Sequence, residues 1–87
     1  MKAFILYRPN SEFARIVEEY VHDFKRLMGR DIELVDLNTR DGAATASLYD
    51  VMEHPSLMVV REDGQVLQEW QGTHLPLMNE LSGYLSS

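Results

Sequence analysis

The sequence contains no cysteine, which rules out disulfides, thiolate catalysis and zinc–thiolate centres. It also lacks a long apolar run. The opening stretch Ala3-Phe4-Ile5-Leu6-Tyr7 ends at Arg8, far short of the ~20 residues a membrane span needs and too short for a secretory leader. Basic residues are scarce: 8 Lys and Arg stand against 14 Asp and Glu, for a net charge of -6. They are dispersed, whereas a nucleic-acid surface gathers them on one face. The expectation is one cytoplasmic domain over residues 1–87, with no nucleic-acid or membrane partner.

What is present is an ordinary globular composition. Hydrophobic residues make up 45% and charged residues 25% of 87 positions, too apolar for disorder. A chain of this length buries roughly 60–65% of its unfolded surface, so every element must contribute to a small core. Lys2 to Tyr7 reads as a central strand covered on both faces. Pro9 breaks it. From Ser11 to Met28 the apolar residues Phe13, Ile16, Val17, Tyr20, Val21, Phe24, Leu27 and Met28 recur at helical spacing. Glu12 in the first turn and Lys25 and Arg26 in the last suit the helix dipole, and Gly29 supplies a left-handed cap.

Ile32 to Leu37 reads as a second strand, edge-like because of Glu33 and Asp36. "NTRDG" reads as a loop. Ala43 to Met52 reads as a helix packing through Ala44, Leu48, Val51 and Met52, interrupted by Glu53-His54-Pro55. Leu57 to Arg61 and Val66 to Gln71 are strands joined by an Asp-Gly hairpin. Pro76 suits the opening of a last helix with Leu77, Leu81, Tyr84 and Leu85 on its face. The order is β-α-β-α-β-β-α, an α/β domain. A strand–helix–strand start implies a right-handed parallel crossover, so a four-stranded mixed sheet flanked by three helices is expected.

That order resembles the thioredoxin-like fold in its short glutaredoxin form. Val51-Met52-Glu53-His54-Pro55-Ser56-Leu57 is similar to the segment in which a valine precedes a cis-proline by four residues, followed by a small hydroxyl residue and a strand. Arg61 to Val66 resembles the family hairpin, and Gly72 falls where those proteins keep a glycine beside the active surface. Pro9-Asn10-Ser11 after Leu6-Tyr7 also resembles the KaiB family, a pointer to protein partners. The first half departs from the redox pattern. The positions that would carry two cysteines are Ser11-Glu12-Phe13-Ala14, and thiol–disulfide exchange has no sulfur to work with.

Ser11 reads as a helix N-cap, worth about 1 kcal/mol; as a nucleophile it lacks a base with an orienting acid. Tyr7 reads as a wall or rim aromatic. His22, His54 and His74 have no short ligand spacing, so no metal is expected. His54 and His74 are expected at a rim near Pro55, where they can serve as pH-sensitive contacts. Trp70 reads as core packing beneath the last helix. Arg8 and nearby free amides at Ser11, Glu12 and Phe13 could attract an anion, opposed by the charge of Glu12.

The resemblance therefore implies a non-catalytic binding module without cofactor. Its groove would comprise Tyr7, Arg8, Pro9, Asn10, Ser11, His54, Pro55, Ser56, Gly72, Thr73 and His74, and would take a protein or extended peptide by strand addition. Two other readings stay open. One is a glutathione- or small-acid-binding enzyme using Tyr7 or Ser11. The other is a structural domain, monomer or weak homodimer, pairing through a sheet edge at Val66–Trp70 or Ile32–Leu37.

Overall fold

The computed structural model describes residues 1–72 and 74–86. In chain order the elements are β1 (Lys2–Tyr7), α1 (Ala14–Met28), β2 (Glu33–Asp36), α2 (Arg40–Leu48), β3 (Ser56–Val60), β4 (Val66–Gln71) and α3 (Met78–Ser86). The sheet order is β2-β1-β3-β4. β1 pairs parallel with β2 and antiparallel with β3, and β3 pairs antiparallel with β4. This is the mixed four-stranded sheet that the element order implied, with β2 on an edge.

The two central strands are buried on both faces because their residues alternate between two cores. Ala3, Ile5, Tyr7, Leu57 and Val59 meet Ala14, Val17 and Phe24 of α1 and Leu81 and Leu85 of α3. Phe4, Leu6, Met58 and Val60 face the other way, toward Ala46, Tyr49 and Val51 of the α2 region and Val35 and Leu37. A bulge between Val59 and Val60 lets Val60 oppose Val66 while Val59 opposes Gln68. Leu67 and Trp70 consequently pack on the same core despite their opposite parity in the strand. Trp70 meets Tyr84 edge-on at 5.7 Å, beneath α3.

Both hairpin and helix-end glycines behave as the local chemistry demands. Gly29 ends α1 at φ +70, its amide donating to the Lys25 carbonyl. Gly64 sits at φ +90 in the β3–β4 turn, its amide donating to the Arg61 carbonyl.

Several expectations about the helices require correction. α1 begins at Ala14 and not at Ser11; its N-cap is Phe13, which offers no side-chain cap, and Glu12 lies outside the first turn. The stripe is also narrower, with Ile16 and Leu27 exposed. The "NTRDG" segment is not a loop but the cap and first turn of α2: Thr39 Oγ1 accepts from the Gly42 amide at 3.0 Å and donates to the Asp36 carbonyl at 2.7 Å. α2 ends at Leu48, and it turns Gly42 and Ala46 inward, leaving Ala44, Leu48 and Met52 exposed. The reason is Gly42 itself. An added Cβ there would run into the Asp36 carbonyl, so only glycine lets this turn sit so close to the end of β2. In α3 the helix starts at Met78, two residues after Pro76, and Leu77 is exposed. Among the described residues no helix is long and apolar enough to cross a membrane.

Candidate functional site

Three chain segments meet beyond the ends of β1, β3 and β4. The β1–α1 turn (8–13) follows directly from β1, a buried central strand. The segment 53–55 precedes β3, and its His54–Pro55 peptide is cis. Gly72 follows β4 at φ +88. The Ser56–Gln71 pair closes the β3–β4 ladder, and just beyond it the Gly72 amide donates to the Pro55 carbonyl at 2.8 Å. Glu53 reinforces this junction through its amide, which donates to Gln71 Oε1 at 3.3 Å. Gly72 therefore stands beside Pro55.

Arg8 and His54, 46 positions apart in the chain, line one pocket of about 220 Å³ together with Glu53 and Met52. Leu37, Ala43, Ala46 and Val51 supply the apolar remainder. The guanidinium of Arg8 donates to Asn38 Oδ1 at 2.8 Å, which holds a cation at this end of the sheet. His54 Nδ1 is buried without a hydrogen-bond partner. Most buried polar atoms are paired, and leaving one unpaired costs about 1–3 kcal/mol. An unpaired imidazole nitrogen beside a pocket is therefore the least conservative feature of this region.

The remaining groove candidates divide. Pro9 is half-buried, and Asn10 and His74 are exposed. Thr73 lies outside the described residues. Ser11 is not a cap: its hydroxyl and amide both donate to the Arg8 carbonyl, at 2.7 and 3.0 Å. That bonding also removes the Ser11 amide from any anion cradle. Tyr7 is a core residue, 7% exposed, and its hydroxyl donates to Glu18 Oε2 of α1 at 3.3 Å. Burial first, and the neighbouring Glu18 second, push its phenol above the ordinary 10.0. That shift opposes phenolate formation at Tyr7. Ser56 is fully buried with its hydroxyl donating to the Glu53 carbonyl at 2.7 Å, and Pro55 is likewise enclosed. Of the polar candidates, Arg8 and His54 are the two whose side chains share the pocket.

Sequence reading missed Glu53, Met52 and Asn38. Helical spacing points Met52 to the core, yet it is 87% exposed. The only signal for Asn38 was its place in a polar loop. His22 sits on the outer face of α1 beside Asp23, with 3.7 Å between Nδ1 and Oδ1, away from this site. Among the described residues no three of His, Asp and Glu come together to hold a metal.

No family model matches this chain, and no curated protein matches it by sequence. Solved structures do. Thioredoxin 1 from the thermophilic eubacterium Thermosipho africanus TCF52B superposes with a TM-score of 0.68 at 10% identity, over 99% of this chain and 91% of its own. The crystal structure of a designed protein gives a TM-score of 0.67 at 18% identity, covering 98% of this chain and 72% of its own. At such identities the likeness speaks for architecture alone, and on it the chain has a thioredoxin-like fold.

Proposed function

We propose that this domain is a non-catalytic, cofactor-free binding module that takes an extended peptide or protein segment at the junction of the β1–α1 turn, the 53–56 segment and Gly72. The observation that carries the reading is the pairing of Arg8 with His54 around one pocket, with His54 Nδ1 buried and unpartnered. Strand addition needs backbone rather than thiols, and this junction lies just beyond the last pair of the β3–β4 ladder. The Arg8 cation supplies selectivity for a carbonyl-rich or carboxylate-bearing segment. Thiol exchange is not part of the reading, because the chain has no cysteine.

The test is selection of extended peptides from a displayed random library on the immobilised domain, followed by amide-shift mapping of the best binder. Shifts should concentrate at Arg8, Asn10, Ser11, His54 and Gly72. Arg8→Ala and His54→Ala should each weaken binding while leaving the spectrum dispersed. Shifts confined to other surfaces, or a library that yields no binder, would defeat the proposal.

A further inference from the structure

β2 pairs with β1 along one side and forms one edge of the sheet. A groove of about 460 Å³ is lined by β2, by the start of β1 and by α2. Phe4, Val35 and Tyr49 contribute to its apolar lining. Leu34 and Leu48 also line it, 40% and 76% exposed. The charged lining is Glu33, Asp36 and Asp41 against Lys2 alone, and Lys2 is itself 3.9 Å from Glu33. An edge strand with exposed apolar groups is a template for another chain, and here the charge pattern says which chain.

Along β2 the order is Glu33-Leu34-Val35-Asp36, acidic–apolar–apolar–acidic. A strand laid beside it places one residue opposite each of these, and like charges facing across a strand pair are destabilising while opposite charges support it. Two copies of β2 meeting antiparallel about Leu34 and Val35 would set Glu33 opposite Asp36 twice. That register is disfavoured between two copies. The complement of β2 is basic–apolar–apolar–basic, a pattern that reads the same in either direction. Leu48 of α2 lines the same groove, giving such a segment an apolar group to bury against.

We propose that the β2–α2 groove docks an extended segment of another protein, of basic–apolar–apolar–basic pattern, as a fifth strand beside β2. This surface is separate from the Arg8–His54 pocket and does not depend on it.

The probe is the capped peptide Thr-Lys-Val-Val-Lys-Thr, titrated into the isotope-labelled chain alongside the same peptide with glutamate in place of both lysines. The lysine peptide should shift amides of residues 33–36 and 45–49, and added salt should weaken it. Glu33→Lys should reduce its affinity about fivefold and improve binding of the glutamate peptide, a gain that an unfolded variant could not give. Three results would overturn the proposal. The two peptides could bind alike, the shifts could fall around Arg8 and His54, or unlabelled protein alone could reproduce the β2 shifts as its concentration rises.

Discussion

Replacing Gly42 with alanine should unfold this protein more readily, although alanine is the better helix former by about 1 kcal/mol. Gly42 lies in the first turn of α2, and an added Cβ would collide with the Asp36 carbonyl oxygen, 2.7 Å from its carbon and 3.0 Å from Thr39 Oγ1. The obstacle is backbone at the end of β2, so it cannot swing aside. α2 must lift from the sheet, an overpacking penalty of about 1–3 kcal/mol. Lifting also stretches the Thr39 cap, worth about 1 kcal/mol. Subtracting the helical gain leaves a net loss of about 1–3 kcal/mol, or a Tm lower by roughly 5–20 °C for a domain of this size. Gly83 is the control. An alanine Cβ there would have nothing within 4 Å, so Gly83→Ala should be neutral or stabilising by up to about 1 kcal/mol. Urea titrations of both variants, read at the midpoint with the slope unchanged, make the comparison. A Gly42→Ala protein as stable as the parent would refute the claim that glycine sets the helix–strand distance.

Thr39→Ala should destabilise by about 1 kcal/mol and Ser11→Ala by clearly less, since only Thr39 caps a helix; chemical denaturation would rank them. The Tyr20 hydroxyl donates to the Pro76 carbonyl at 2.9 Å, tying α1 to the approach to α3. Burial first, and Glu80 second, push its phenol up from 10.0 to about 12. The folded state thus holds this proton more tightly, so the associated stability is complete below pH 10 and disappears as the pH rises through about 12. Because Tyr20 is only half-buried, the effect is on the order of 1 kcal/mol. Tyr20→Phe should flatten the alkaline fall in urea midpoint between pH 9 and pH 12. Phe24, fully buried and stacked on Tyr20 at 6.3 Å, should cost about 3–5 kcal/mol as Phe24→Ala, visible as a large drop in thermal midpoint.

The chain combines a thioredoxin-like sheet with a sequence that has no cysteine. The scaffold brings a strand end, the Pro55 segment and a glycine turn together whether or not a thiol is present. Here that corner carries a guanidinium and an imidazole with an unpaired buried nitrogen. Thiol–disulfide exchange would need sulfur, which the sequence lacks.

Order and type of the seven elements were legible in the sequence because they rest on local regularities. β1 and β3 are unbroken apolar runs, α1 carries a helical stripe ending at Gly29, and Asp63-Gly64 admits the positive φ of the hairpin. Strand ends and helix starts were less legible, since Ser11 and Thr39 are both hydroxyl residues before a helical pattern and only one of them caps. Tertiary structure decided between them: α2 begins where Gly42 can approach the Asp36 carbonyl, while the 11–13 segment is spent in a turn bonded to Arg8. The same long-range packing buried Tyr7 and Ser56, exposed Met52 and Leu48, and brought Arg8 to His54. Those outcomes depend on which faces of separate elements meet across the sheet, and periodicity along one element carries no information about its partner.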